Sequence, residues 1–213
     1  MKKVIGLTGK YCAGKNYIAS LLEKQGLPVL DIDTLGHRAL ETEKDAVCAE
    51  FGIDIKDITD KINRSLLGKK VFGNPKKLAK LEAIIHPVVN RLTEQWVSEQ
   101  KGSCVINAAL LHKSSVFNKL DFIILVNAPF ISRIRRARHR DKLPWTDIPG
   151  RFSSQKDFYP QYFSGKADIY RVENPGFSMK QGVSLKPGYS SVRRTELELK
   201  RRINEILKKE GIL

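Results

Sequence analysis

The chain has 213 residues, of which 41% are apolar and 29% charged, proportions typical of a protein that folds around a buried core. Its 38 Lys and Arg residues against 23 Asp and Glu residues give a formal charge of +15, which favours anionic ligands such as phosphorylated metabolites or nucleotides. No apolar run approaches the roughly 18 residues of a membrane-spanning helix, and no secretory signal is recognisable at the start. The three widely spaced cysteines fit neither a disulfide framework nor a metal site, so we expect a cytoplasmic protein.

Five short apolar runs predict buried strands, at residues 4–8, 28–31, 104–107, 121–127 and 169–172. Helical patterns lie between them. Continuous Val, Ile and Leu runs that alternate with helices are typical of a parallel sheet covered on both faces. The pattern predicts an α/β fold with three layers and a five-stranded parallel sheet.

The helical segments carry further signals. Residues 75–100 form a long amphipathic pattern, in which Pro87 predicts either a kink or the boundary between two helices. The chain becomes strongly basic over residues 133–155 and loop-like after Asn174. A closing amphipathic helix is predicted over residues 195–209.

The strongest local motif follows the first predicted strand and precedes a helix predicted over residues 17–24. It reads Gly9-Lys10-Tyr11-Cys12-Ala13-Gly14-Lys15-Asn16. Glycines let the backbone wrap around an anion, and a helix N-terminus attracts negative charge, so this pattern predicts a phosphate-binding loop (P-loop). A strand-to-helix turn with a surface lysine is the simpler alternative. Asn16 stands where a Ser or Thr would bind Mg²⁺, and its amide oxygen is a weaker candidate ligand.

Two carboxylates, Asp31 and Asp33, follow the second predicted strand. With a period of two they would point to the same side, at the strand end that faces the ligand crevice of a parallel sheet. One of them could then accept a hydroxyl proton. Equally, Asp33 could be the N-cap of a helix beginning at Thr34.

Taken together, the motifs resemble the dephospho-coenzyme A kinase family over most of the chain. The order and spacing agree at residues 5–9, 14–15, 28–33, 63–72, 81–87, 140–141, 151, 155, 167–168 and 174–176. The P-loop is shared by many families. More specific to this family are His86-Pro87, Arg140-Asp141 and the later Arg151.

The resemblance implies ATP-dependent phosphorylation of the ribose 3′-hydroxyl of dephospho-coenzyme A, the last step of coenzyme A synthesis. It also implies one P-loop kinase domain over residues 1–213, with a core at residues 1–32, 101–137 and 166–213. A helical acceptor-binding lobe would occupy about residues 33–100 and a lid about residues 138–165.

The resemblance also assigns roles. Lys15, Asp33 and Arg140 would be catalytic, with Asp33 as the base and Arg140 stabilising charge on the transferring group, assisted by Arg136 or Arg151. Acceptor contacts would come from Asp33, Arg64, His86 and Arg151, and Mg²⁺ would accompany ATP, with Asn16 as a candidate ligand. ATP would be bound by Gly9, Tyr11, Cys12, Ala13, Gly14, Lys15, Asn16, Tyr17, Arg136 and Asn174.

Simpler interpretations stand beside several of these roles. Most of the arginines and the lysine of residues 133–142 would line a solvated helix face, and His86 could be structural. The basic residues of the last helix interleave with glutamates and predict a surface helix.

The sequence departs from the family at several points. Asn16 replaces the hydroxyl ligand, Lys10 replaces a usual glycine, and Asn107-Ala108-Ala109-Leu110-Leu111-His112 lacks the two acidic residues and the proline of the family motif. A polar insertion occupies residues 178–191. Two of these changes remove oxygen ligands from the expected Mg²⁺ neighbourhood.

Two other functions remain open from the sequence. One is a kinase of the same fold with a different small-molecule acceptor. The other is a catalytically silent nucleotide- or RNA-binding protein, although aromatic residues make up only 8% of the chain and no RNA-binding signature is present. We expect ATP and dephospho-coenzyme A as partners, with neither membrane nor nucleic acid, in a monomer or weak homo-oligomer.

Overall fold

The computed structural model describes residues 1–141, 152, 162, 167–175 and 189–213. The chain divides into two compact units, one formed by Met1–Leu30 and Gln100–Leu213 and the other by Asp31–Glu99. Most of the expected lid, including Arg151, and most of the polar insertion lie outside the described residues.

The strands of the described chain are β1 (Val4–Gly9), β2 (Val29–Asp31), β3 (Cys104–Asn107), β4 (Phe122–Asn127) and β5 (Asp168–Glu173). The helices are α1 (Lys15–Glu23), α2 (Ile32–Thr42), α3 (Lys44–Phe51), α4 (Arg64–Val71), α5 (Pro75–Glu99), α6 (Phe130–Asp141) and α7 (Tyr189–Lys209). Within the described part of the chain, no helix has the length and apolar character needed to cross a membrane.

The strands form one parallel sheet in the order β2-β3-β1-β4-β5, which confirms the predicted five-stranded, three-layer α/β fold. The central strand β1 pairs with β3 on one side and β4 on the other. Ile5, Leu7 and Ile124 are fully buried, as expected for strands covered on both faces. Because the strands are parallel, their carboxyl ends meet at one edge, where the loop after β1 lies.

Helices α1 and α7 supply the apolar side chains that complete the core of the first unit. Ile18 and Leu22 of α1 and Ile203 and Leu207 of α7 are almost completely buried and belong to the same cluster as the sheet residues. Helix α7 begins at Tyr189, six residues before the predicted start at residue 195. The start of α1 at Lys15, rather than residue 17, places the P-loop lysine in the first helical turn.

The Asp31–Glu99 unit is helical, and its longest element is α5. This helix continues through Pro87, so of the two alternatives predicted at that residue, a kink or a helix boundary, the boundary is excluded. An interior proline costs about 3 kcal/mol because a hydrogen bond is lost and its ring crowds the preceding turn. Burial of Ile85, Val88 and Val89 on one face of α5 offsets this cost.

Candidate active site

The loop between β1 and α1 turns through two residues with left-handed backbone, Cys12 and Gly14. Gly14, the N-cap residue of α1, has φ 96°, a left-handed value that favours glycine. Cys12 also has a positive φ of 58°. The N–H of Ala13 donates to the carbonyl of Lys10 over 2.9 Å and closes the turn. Partial burial and the neighbouring Arg133 guanidinium lower the pKa of Lys10.

Both flanking glycines of the loop are required by close contacts. A Cβ at Gly9 would lie 2.6 Å from the carbonyl oxygen of Val126, and one at Gly14 would lie 2.1 Å from Nδ2 of Asn174. Neither position tolerates a side chain without movement of its neighbours.

Lys15, Asn16 and Tyr17 form the first turn of α1, and the Tyr17 N–H donates to the carbonyl of Gly14 over 3.1 Å. Asn16 is exposed, and its Oδ1 accepts a hydrogen bond of 3.4 Å from Nδ2 of the buried Asn107 at the end of β3. Among the described residues, no group of three or more His, Cys, Asp or Glu side chains is placed to hold a metal ion.

Two arginines of α6 turn toward the loop backbone. Nε of Arg133 donates to the carbonyl of Tyr11 over 2.8 Å, and Nη1 of Arg136 donates to the carbonyl of Ala13 over 2.8 Å. Arg133 is only 7% exposed. Arg135, Arg138 and Arg140 are exposed, as expected for most of the basic residues of this segment, whereas Arg133 is buried.

Asn174 follows β5 and joins the same network. Its Nδ2 donates to the carbonyl of Ala13 over 2.9 Å, while its Oδ1 accepts from Nη2 of Arg136 over 3.1 Å. Asn174 is 6% exposed, and burial lowers the pKa of the Arg136 guanidinium. The structure thus places the side chains of Arg136 and Asn174, both predicted to bind ATP, against the loop that would hold its phosphates.

Arg140 is exposed near the end of α6, and its guanidinium carbon lies 5.2 Å from the ring centre of Tyr11. The Tyr11 ring meets Phe152 edge-on, with 5.5 Å between ring centres. A cation above an aromatic face is attracted by about 0.5–1 kcal/mol at an exposed site. Two residues predicted from the sequence, Tyr11 and Arg140, are therefore neighbours beside the loop.

A buried network that sequence reasoning missed lies at the ends of β1 and β3. Tyr162 is fully buried, with its hydroxyl 3.3 Å from Oγ1 of Thr8 and 3.2 Å from Nδ1 of His112. Burial raises the pKa of Tyr162 and lowers that of His112, the latter aided by Lys113. His112 thus occupies the altered end of the third-strand motif as the partner of a buried tyrosine. Its neighbour Tyr162 belongs to the aromatic-rich sequence at residues 158–163, which was the available signal.

In the second unit, Asp31 rather than Asp33 caps α2. Its Oδ1 accepts from the Asp33 N–H over 2.9 Å, and the helix begins at Ile32. The expectation that Asp31 and Asp33 point to the same side of a strand was wrong, because Asp33 already lies in the first turn of α2. The interpretation of Asp33 as the cap of a helix starting at Thr34 was also wrong. Asp33 is exposed.

A pocket of about 710 Å³ lies among the helices of this unit. Arg64, the first residue of α4, lines it together with His37, Asn63 and Phe72. Asn63 caps α4 by accepting from the N–H groups of Ser65 and Leu66, over 3.1 and 3.2 Å. All of residues 31–99 are described, and neither Asp33 nor His86 lines this pocket. Of the residues predicted to contact the acceptor, the pocket therefore contains only Arg64 among the described ones.

Comparison with known proteins identifies relatives of the chain. A family model described as dephospho-CoA kinase matches residues 3–161. A dephospho-CoA kinase from Treponema denticola is 34% identical over 183 residues, which cover 80% of this chain and 82% of the relative.

Solved structures show the same fold. A Thermus thermophilus crystal structure superposes with a TM-score of 0.73 at 28% identity and covers 96% of this chain and 97% of its own. A dephospho-CoA kinase from Campylobacter jejuni gives a TM-score of 0.63 at 21% identity, with 99% and 100% of the two chains covered.

Proposed function

The chain belongs to the dephospho-CoA kinase family, and we propose that it transfers the terminal phosphoryl group of ATP to the ribose 3′-hydroxyl of dephospho-CoA, which yields CoA. The protein is a transferase that uses ATP. The observation that carries the proposal is the loop of residues 9–15, which has left-handed backbone at Cys12 and Gly14 and leads from β1 into α1, in a chain that matches this family over residues 3–161.

Phosphoryl transfer asks a protein mainly to position its substrates and to stabilise charge. Lys15 and the N–H groups at the start of α1 hold the ATP phosphates in the proposal, since a helix N-terminus favours anions. Mg²⁺ bound with ATP would neutralise part of the phosphate charge, and Asn16 offers it one amide oxygen. Arg140, beside Tyr11, supplies a cation at the edge of the loop.

Acceptor activation is assigned to the second unit. Since Asp31 fulfils the capping role, a cap does not account for Asp33, and its exposed carboxylate is the proposed acceptor of the 3′-hydroxyl proton. The pocket lined by Arg64 and His37 is the proposed binding region for dephospho-CoA, because it combines cationic and aromatic side chains with room for a ligand. His86 and Arg151 remain proposed acceptor contacts.

The test is a coupled assay of ADP release with ATP, Mg²⁺ and dephospho-CoA, and the position of the added phosphate is identified by mass spectrometry. We expect ADP release that depends on dephospho-CoA and gives the 3′-phosphate. CoA is the matched control acceptor, because its 3′-oxygen is already phosphorylated and it should release no ADP. ATP binding without product, or faster phosphorylation of adenosine than of dephospho-CoA, would overturn the proposal.

A further inference from the structure

We propose that Arg133 and Asn174, together with Arg136, are positioning residues that hold the carbonyl groups of the phosphate-binding loop and thereby aim its N–H groups at ATP. We call these three side chains the carbonyl clamp. The inference rests on the proposed function only for the identity of the nucleotide, since the contacts lie wholly within the first unit.

The clamp engages three consecutive carbonyl oxygens of the loop. Arg133 donates to the carbonyl of Tyr11 over 2.8 Å. Arg136 donates from Nη1 to the next two carbonyls, those of Cys12 over 3.3 Å and Ala13 over 2.8 Å. Asn174 gives a second bond to the Ala13 carbonyl over 2.9 Å. Such a run of fixed carbonyls leaves little freedom to the peptide planes between residues 11 and 14.

The geometry of the peptide bond turns this contact into control of the loop amides. In a trans peptide the C=O of one residue and the N–H of the next point in opposite directions. The carbonyls of Tyr11 and Ala13 point at the clamp, so the N–H groups of Cys12 and Gly14 point away from it. Backbone N–H groups that converge on one point form anion-binding concavities, and in the proposal the N–H groups of Cys12 and Gly14 face such a point. The clamp thus orders the donors before any ligand arrives, which lowers the entropic cost of binding.

Burial distinguishes the clamp from surface arginines that could rearrange freely. Arg133 and Asn174 are 7% and 6% exposed, and buried polar groups are costly unless they are hydrogen-bonded. Arg133 is further confined by Phe152, whose ring centre lies 4.6 Å from the guanidinium carbon. Asn174 is joined to the Arg136 guanidinium through its own Oδ1. Each member therefore has a partner that fixes its direction toward the loop.

The decisive experiment compares Arg133→Met with Arg135→Met. Both changes remove one positive charge from α6, but Arg135 is exposed while Arg133 donates to the loop. The readout is the Kd for ATP by calorimetry without acceptor, alongside amide exchange of residues 9–16. Loss of a charged hydrogen bond predicts an ATP Kd about 10- to 100-fold higher for Arg133→Met and faster exchange in the loop. Arg133→Lys, which keeps the charge and a hydrogen-bond donor but not the planar guanidinium, should recover part of the affinity, and Arg135→Met should stay within about threefold of the parent.

Equal losses in Arg133→Met and Arg135→Met would show a general charge effect and overturn the proposal. If Arg133→Met does not fold, Asn174→Asp tests the same idea, because it replaces the Nδ2 donor by an acceptor of the same size. Parent-like ATP binding by folded Asn174→Asp would also overturn the clamp. A parent chain that binds ATP but does not phosphorylate dephospho-CoA would refute the proposed reaction alone, while the binding comparison would still test the clamp.

Discussion

Replacement of Gly14 by alanine tests whether the loop conformation governs ATP binding. Gly14 has φ 96°, where a residue with a Cβ pays about 1–2 kcal/mol. The new methyl group would lie 2.1 Å from Nδ2 of Asn174, so Asn174 must move. Its 2.9 Å bond to the Ala13 carbonyl and its 3.1 Å bond from Arg136 would then weaken or break. Together, the backbone strain and the lost hydrogen bonds raise the free energy of the original loop conformation by about 3–4 kcal/mol.

The free protein can escape most of that cost because the loop relaxes, but ATP binding needs the original conformation. We therefore expect Gly14→Ala to raise the Kd for ATP at least 100-fold, since about 1.4 kcal/mol corresponds to a factor of ten. Isothermal calorimetry gives the affinity, and thermal unfolding followed by circular dichroism confirms that the variant is folded.

Gly26→Ala is the matched control. Gly26 also has a positive φ, 83°, but a Cβ there would meet no heavy atom within 4 Å. The control variant has the backbone strain but no steric clash. It should therefore lower the Tm by roughly 2–4 °C for each kcal/mol of strain, and the Kd for ATP should stay unchanged. A folded Gly14→Ala protein that binds ATP within fivefold of the parent would refute the reasoning.

Three further predictions concern the acceptor base, the metal and the pH dependence of stability. Asp33→Asn should lower kcat by about 100-fold in the coupled assay if Asp33 accepts the hydroxyl proton, and a loss below about fivefold would contradict that role. Asn16→Ser should lower the Mg²⁺ concentration needed for half-maximal rate, whereas an unchanged titration would count against metal coordination at this position. Hydrogen bonds from Lys3 and Tyr170 lower the pKa of Glu210. This carboxylate therefore stabilises the fold at pH values above the ordinary glutamate pKa of about 4.3, and the stabilisation is lost as the pH falls through the lowered pKa. The Tm difference between the parent and Lys3→Met should accordingly be largest near pH 7 and shrink toward pH 3, and a constant difference across that range would contradict the account.

The sequence by itself determined the sheet and the phosphate-binding loop. The apolar runs at residues 4–8 and 104–107 form buried strands, as predicted. The loop is also local, since the first strand, the glycines and the lysine at the start of α1 follow one another in the sequence. The family resemblance likewise followed from short motifs, and the matched family model confirms it. These features could be predicted because each depends on residues that are close together in the sequence.

Helix termini were less predictable. Asp31 and Asp33 are both good N-cap residues, and the choice of Asp31 depends on where β2 ends. The same competition between neighbouring signals concerns α5, where Pro87 predicted either a kink or a helix boundary and the helix continues through it with one face buried.

Only the tertiary structure decided which arginines of α6 donate hydrogen bonds to the loop carbonyls. Arg133 and Arg135 differ by two positions, and the side on which α6 packs buries the first and exposes the second. Asn174 reaches Ala13 across 161 positions of the chain, and Tyr162 reaches Thr8 across 154. Contacts over such separations depend on how strands and helices pack, because no local pattern records which distant carbonyl or hydroxyl a buried donor will meet.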